Sequence, residues 1–392
     1  MRKDNYFMKN IKLMNKIAPV GIEQFPASAY SVGENVTGED AILVRSASLH
    51  ETAFDPNLKA IARAGAGVNN IPVEECAKKG IVVFNTPGAN ANGVKELTLC
   101  ALFLSARDVV GGIDWASTLK EDVAKSVEKG KSAFAGEELL GKTLGVIGLG
   151  AIGGMVANTA YHLGMKVIGC DPYISVEGAW RLSSHVHKAS AYEEIYRECD
   201  YITLHVPATP ATKNMINKET LAMMKDGVRI INLSRADLVD IDAMKEALES
   251  GKVARYVTDF PTEQNIGVKN IVAIPHLGAS TEESEDNCAV MAARELIDYL
   301  ENGNITNSVN FPSVKLDPSS ASRVTVLHLN IPNMISTISG VFSASGLNIE
   351  NMANRSKGEY AVTILDIAGE ITDEAIEKLS AVDGIIRAIR VK

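Results

Sequence analysis

TLGVIGLGAIG, residues 143–153, begins as a short apolar strand and runs straight into glycines at 148, 150 and 153, after which MVANTAYHLG (155–164) continues as a helix. A GxGxxG match means little by itself, but between a strand and a helix it marks a dinucleotide-binding turn. Gly148 permits the tight turn, Gly150 lets a pyrophosphate approach backbone N–H groups at the positive end of the helix, and Gly153 lets that helix pack close to the sheet. Ala151 and Ile152 complete the turn. Asp171 ends the following strand, MKVIGCD (165–171), 18 residues past Gly153. Its carboxylate can accept hydrogen bonds from ribose hydroxyls and would repel a 2′-phosphate. Pro172 and Tyr173 follow it, not an arginine, so NAD is the expected cofactor in preference to NADP.

Downstream the alternation continues through DYITLHVP (200–207), RIINLSR (229–235), ARYVTDF (254–260) and NIVAIPH (270–276). Each run is short and apolar and ends in polar residues, the pattern of a doubly wound parallel sheet with its site at the carboxyl ends of the strands. Upstream, residues 1–85 read as a second α/β unit, with AILVRS (41–46) and IVVFN (81–85) as strands, LKAIARAG (58–65) helix-like and VEECAKKG (73–80) helical. A Pro/Gly/Asn turn at NTPGANANG then feeds a long apolar helix beginning near Val94. A helix is expected from about Glu282 to Asn302, followed by the polar stretch SVNFPSVKLDPSSAS (308–322), which reads as a linker. The remainder reads strand, helix, strand, strand, helix, strand, a ferredoxin-like order.

At 392 residues, two or three domains are expected, and 46% hydrophobic with 22% charged residues is the profile of an ordinary folded protein. No apolar run approaches the ~18 residues that cross a bilayer. The start, MRKDNYFMKNIKLMNK, lacks the apolar core of a secretory signal and reads as the first strand of a cytoplasmic protein. The five cysteines are scattered, with no CxxC pair, which argues against a disulfide frame or a metal site. A net charge of −9 gives no support to nucleic-acid binding. A negative protein that takes a negative substrate must do so locally, with a few placed arginines.

Three polar residues follow apolar strands where such a fold puts its cleft: Arg235 after RIINLS, Glu263 after VTDFPT and His276 after IVAIP. Singly, each has a bland reading as a surface charge, a solvated loop carboxylate or a loop cap. Together they suit oxidation of a 2-hydroxy acid. A histidine accepts the hydroxyl proton as hydride leaves C2, a carboxylate fixes its tautomer, and an arginine grips the substrate carboxylate with two parallel bonds.

The ordered set VIGLGAIG, Asp171, LHVPATPATKNMIN, INLSRADLVD, DFPTE and PHLGAST resembles the D-isomer-specific 2-hydroxyacid dehydrogenases over nearly the whole chain. The resemblance implies a flavodoxin-like substrate domain (residues 1–89), a Rossmann NAD-binding domain (90–281), a return helix to the substrate domain (282–307), a linker (308–321) and a ferredoxin-like ACT regulatory domain (322–392). It places the catalytic roles on Arg235, Glu263 and His276, with a cleft between the two larger domains. Besides the glycine turn and Asp171, it puts cofactor contacts at His205, Val206, Pro207, Leu233, Ser234, Asp259 and Gly278. Substrate contacts fall on Arg45, which would face a phosphate, Ser46, and the loop residues Ala66, Gly67, Val68 and Asn69, with Lys131 a weaker candidate. His328, Asn330 and Asn348 match positions that line a serine pocket between two ACT copies. The implied activity is NAD-linked oxidation of a small phosphorylated 2-hydroxy acid, the first step of serine synthesis. Another 2-hydroxy acid (glycerate, 2-hydroxyglutarate) and a non-catalytic NAD sensor are the alternatives. A homodimer through the nucleotide domain, extended to a tetramer by ACT pairing, is the implied assembly.

The sequence also departs from the family. Where many relatives have aspartate five residues before the catalytic glutamate, this chain has Thr258, with Asp259 next. The usual Pro-Gly of the ACT turn is Pro332-Asn333, and Ala47 stands where a second arginine is expected near Arg45.

Overall fold

A computed structural model describes residues 8–319 and 321–391. The leader residues 1–7 of the segment read as a first strand lie outside that range; the strand itself is Lys9–Met14. The chain divides into two compact units, residues 1–90 with 282–392, and residues 91–281.

In the first unit, strands β1 (Lys9–Met14), β2 (Tyr30–Gly33), β3 (Ala41–Val44), β4 (Ala60–Arg63) and β5 (Val82–Phe84) form a parallel sheet in the order β2-β1-β3-β4-β5. This 2-1-3-4-5 order is the flavodoxin-like one. LKAIARAG, expected to be helical, is the strand β4. It pairs with β3 on one side and β5 on the other, and its Ala60, Ile61 and Ala62 are fully buried. Two ladders and burial on both faces outweigh the helix propensity of Ala, Leu and Lys. The helix Glu282–Asn302 returns across this sheet, putting Ala289, Ala292, Ala293 and Leu296 into one core with Ile11, Leu43 and Phe84. Its approach to the helix Pro19–Ile22 is so close that a Cβ on Gly21 would lie 2.6 Å from that of Ala289.

The second unit carries seven parallel strands, β6 (Thr143–Ile147), β7 (Lys166–Cys170), β8 (Val186–Lys188), β9 (Tyr201–Leu204), β10 (Val228–Asn232), β11 (Val253–Thr258) and β12 (Ile271–Ala273), in the order β12-β11-β10-β9-β6-β7-β8. The order reverses at β6. The carboxyl ends of β6 and β9 therefore flank the topological switch point at which such sheets bind ligands.

The C-terminal strands β13 (Ser322–Leu329), β14 (Asn348–Lys357), β15 (Tyr360–Ala368) and β16 (Ile385–Arg390) form an antiparallel sheet in the order β14-β15-β13-β16. The helices Met334–Ala344 and Asp373–Ser380 complete the expected βαββαβ order. Asn333 holds φ +67 just before the first of these helices, a left-handed conformation that asparagine tolerates better than most residues. This sheet is docked on the first lobe. Leu327, Val362 and Ile364 share that lobe's core, and Arg387 donates to the backbone oxygens of Pro56, Asn57 and Leu58. The stretch expected to be a linker is packed over much of its length: Phe311 is fully buried, Ser308 bridges to Phe84, and Val314 bridges to Ile305. Among the described residues no helix is long and apolar enough to cross a membrane.

Candidate active site

The glycine turn is built as its spacing predicts. Gly148 has φ +88 and lies so close to β9 that a Cβ there would sit 2.5 Å from the His205 carbonyl oxygen. A Cβ on Gly153 would lie 1.9 Å from the Gly148 oxygen. A Cβ on Gly150 would meet nothing within 4 Å. Packing therefore requires the outer two glycines, while the space at Gly150 is open at the N-terminus of the helix Ala151–His162, where a pyrophosphate would bind. The Asp171 carboxylate is held in place, accepting from the Leu149 N–H (2.9 Å) and the Tyr173 N–H (2.9 Å). His205 is half-buried against the turn. Its Nε2 is bonded to Thr203 Oγ1 at 3.0 Å, while Nδ1 is shut away from solvent with no partner. Burial pulls its pKa down to about 4, so the ring is neutral at physiological pH. Nearby, Ser234 Oγ donates to the Leu204 oxygen (2.6 Å), Leu233 is buried, Val206 is half-buried, and exposed Pro207 accepts from Thr212 Oγ1 (2.6 Å). These residues fit a dinucleotide.

At the end of β10 the buried Asn232 side chain fixes the next turn. Its Nδ2 donates to the Arg235 oxygen (2.8 Å), and its Oδ1 accepts from the Ser234 and Arg235 N–H groups (3.1 and 3.4 Å). Arg235 is thereby presented to solvent with Nη1 donating to the Ser234 oxygen. After β11, Thr258 is buried and its hydroxyl accepts from the Phe260 N–H (3.2 Å). Asp259 is 1% exposed, and neither of its carboxylate oxygens has a hydrogen bond of ordinary geometry. Burial raises its pKa; the His276 ring, the Gly278 N–H and the Arg235 guanidinium pull the other way. His276 itself is exposed and meets the Phe260 ring edge-on at 4.9 Å. Glu263 is exposed on a loop pinned by Asn265, which accepts from the Thr262 N–H (2.8 Å) and donates to the Phe260 oxygen (2.9 Å). The expected hydrogen bond between Glu263 and His276 is not present among the described residues. Asp259 is a carboxylate near enough to the histidine and the arginine for both to pull its pKa down.

In the first unit, Arg45 is exposed and paired with Glu285. Ser46 and Ala47 donate their N–H groups to Asn15 Oδ1 at 3.2 and 2.6 Å. The loop 64–70 is tied at its back: Asn85 Nδ2 donates to the Ala66 oxygen (2.6 Å) and the Thr86 N–H to the Gly65 oxygen (3.1 Å). The N–H groups of Ala66, Gly67, Val68 and Asn69 donate to nothing among the described residues. Sequence reasoning missed Arg63. It ends β4 in register with Val44, so two arginines stand at adjacent strand ends, and its Nη1 would be 2.6 Å from a Cβ on Gly65. Burial, and then the like charge of Arg45, lower its pKa, while the Cys288 thiol works against them. Lys131, on the second unit, pairs with Glu128 at 2.5 Å.

The three C-terminal candidates do not converge within one chain. His328 is 2% exposed with both ring nitrogens bonded, to the Leu329 oxygen and Thr363 Oγ1. Asn330 is exposed and donates to the Gly358 oxygen (3.1 Å). His328 pairs with Ala361 and Asn348 with Ala368, at opposite ends of β15, roughly 23 Å apart at the rise of a strand.

Residues 111–278 match the family model for the D-isomer specific 2-hydroxyacid dehydrogenase, NAD binding domain. Across 98% of its length the chain is 32% identical to the D-3-phosphoglycerate dehydrogenase of Synechocystis, covering 69% of that protein. The Haemophilus influenzae enzyme of the same name is also 32% identical, with 85% of this chain and 81% of that one covered. The Bacillus subtilis enzyme is 37% identical over 71% of this chain, but only 53% of its own length is covered, so the chain spans about half of that relative. Among solved structures, the NAD+-bound 3-phosphoglycerate dehydrogenase of Entamoeba histolytica superposes with a TM-score of 0.59 at 28% identity, covering 77% of this chain and 99% of that one. With its glycine turn, held aspartate and strand-end cluster, this chain belongs to the D-isomer-specific 2-hydroxyacid dehydrogenase family, and its second unit is the NAD-binding domain of that family.

Proposed function

We propose that this protein oxidises 3-phospho-D-glycerate to 3-phosphohydroxypyruvate with NAD, the first step of L-serine biosynthesis. The observation that carries the substrate is the pair Arg45 and Arg63 at adjacent strand ends, beside a run of four unused backbone N–H groups. Like charges side by side are costly unless an anion lies between them, and free N–H groups in a loop make a carboxylate cradle. NAD supplies the hydride acceptor. Gly148, Gly150 and Gly153 admit its pyrophosphate, Asp171 takes the ribose hydroxyls, and neutral His205 with Val206, Pro207, Leu233, Ser234 and Gly278 lines the path towards the nicotinamide. His276 accepts the C2 hydroxyl proton, and Arg235 holds the substrate carboxylate and polarises the C2–O bond. Asp259, buried with no hydrogen bond of ordinary geometry, can accept from the histidine or the cofactor amide. Glu263 would fix the His276 tautomer by hydrogen-bonding its far ring nitrogen.

The Arg45–Glu285 pair favours a second reading, an unphosphorylated acid such as glycerate, because it already neutralises one of the two arginines. NADH absorbance with purified protein and a panel of 2-hydroxy acids decides between them: a clear preference for 3-phosphoglycerate over glycerate is expected, and an equal rate with both would remove the phosphate assignment.

A homodimer through the nucleotide domain suits the exposed apolar residues Val109, Val110, Ile113 and Val123 on the helices Val109–Ser117 and Val123–Gly130. L-serine is the proposed effector of the C-terminal module, and its pocket would need Asn348 from a second copy. Five unpaired cysteines, four of them buried, suit a reducing compartment such as the cytoplasm.

A further inference from the structure

Two orphaned polar atoms line one cavity of the first unit, on residues given no role above. Glu295, on the helix Glu282–Asn302, is 8% exposed; its Oε1 accepts from Asn307 Nδ2 at 2.6 Å, while Oε2 is buried with no partner. The hydroxyl of Thr306 is likewise buried and unbonded. Both residues line a cavity of about 540 Å3, together with Asp298, Asn307, Arg294 and Lys315. Buried polar atoms are nearly always paired, so two strays on one cavity wall point to a missing partner. Asn307, in a left-handed conformation, fixes the Glu295 carboxyl so that only one oxygen is left to bind.

The charges are sorted by depth. Glu295 is buried and Asp298 half-buried, whereas Arg294 and Lys315 are exposed at the mouth. Arg294 spends only its Nε, on Gln24 Oε1 (3.1 Å), and Lys315 makes no ion pair among the described residues. A purely cationic ligand would be repelled at the mouth, and a purely anionic one would meet Asp298, and Glu295 once ionised, at the floor. We propose that this cavity binds a free amino acid, its ammonium on Glu295 Oε2 and Thr306 Oγ1 and its carboxylate on Arg294 and Lys315. The site is independent of the C-terminal module and of the reaction proposed above. Burial pushes the Glu295 carboxyl up to about 8, so at pH 7 it is mostly neutral and must release a proton to pair with an ammonium.

Thermal shift followed by calorimetry on the full chain, with the twenty L-amino acids and with methylammonium and acetate as half-ligand controls, tests this. At least one amino acid should raise Tm and bind tenfold or more tighter than either control. Its affinity should fall tenfold or more in Glu295→Gln and severalfold in Lys315→Ala, a surface change that leaves folding intact. It should hold in Asn348→Ala, and calorimetry in two buffers of different ionisation enthalpy should record proton release. The idea is overturned if no amino acid binds in a manner that depends on both Glu295 and Lys315, since the cavity then holds water alone.

Discussion

Arg323 and Asp366 are joined by two parallel hydrogen bonds, Nε to Oδ1 at 2.6 Å and Nη2 to Oδ2 at 3.0 Å, with each side chain 1% exposed. The same guanidinium also donates to the backbone oxygens of Asn302, Leu316 and Asp317. One side chain therefore ties the C-terminal sheet to the end of the return helix and to the packed stretch that follows. Removing one partner of a buried pair leaves the other charged and unpaired, at a cost of about 3–5 kcal/mol. Asp366→Ala should lower stability by that order in thermal or denaturant unfolding, and should open residues 303–321 to limited proteolysis. A loss below about 1 kcal/mol would show that the pair does not hold the module in place.

Gly150 and Gly153 should separate binding from folding. A Cβ at 153 collides with backbone, whereas one at 150 meets only open space. Gly153→Ala is expected to lower Tm markedly. Gly150→Ala should leave Tm within a degree or two of the parent and weaken NAD binding at least tenfold, measured by titration. Equal NAD affinity in Gly150→Ala would move the pyrophosphate elsewhere.

The parts of this protein that were legible in its sequence are those where local chemistry has one solution. The glycine turn, Asp171 and the polar ends of β10, β11 and β12 all follow from strand–turn–helix punctuation. LKAIARAG was not legible, because Ala and Leu favour a helix and only two neighbouring ladders make it a strand. That misreading also hid Arg63, whose meaning depends on its lying beside Arg45 at the end of a strand. The composition of 308–322 reads as a linker because serine and proline dominate it; Phe311, Val314 and the buried Asn310 anchor it. The burial of His328 is set by its register opposite Ala361 in the ladder with β15, which no local pattern encodes. The pairing of Glu263 with His276 depends on loop geometry that spacing does not fix.

Arg45 and Arg63 should share one anion. Loss of one charge-assisted contact costs about 1.5–3 kcal/mol, so Arg45→Ala or Arg63→Ala should raise KM for 3-phosphoglycerate by roughly one to two orders of magnitude. The effect on glycerate should be much smaller, and an equal effect on both substrates would disprove the phosphate contact. Glu285→Gln works in the opposite direction. Because Glu285 occupies Arg45 in the free protein, releasing it should lower KM for 3-phosphoglycerate a fewfold.

Asp259 trades stability for chemistry. Its carboxyl is raised by burial above its ordinary value, so its proton favours the folded state. That contribution is fully present below the ordinary carboxylate pKa and is lost as pH rises through the higher folded value. Asp259→Asn removes the titration. The variant's Tm, relative to the parent, should therefore climb as pH is raised from about 4 towards neutrality and then level off. Activity should go the other way, with kcat/KM falling roughly tenfold or more, because the carboxylate that His276 and Arg235 act on has lost its charge. His276→Ala makes the useful contrast: turnover should vanish while NAD affinity stays within a fewfold, since the imidazole acts on the substrate. If Asp259→Asn instead keeps full activity and shows no pH-dependent gain in Tm, then the buried carboxylate is neither strained in the fold nor used in the reaction, and Glu263 must carry the partner role alone.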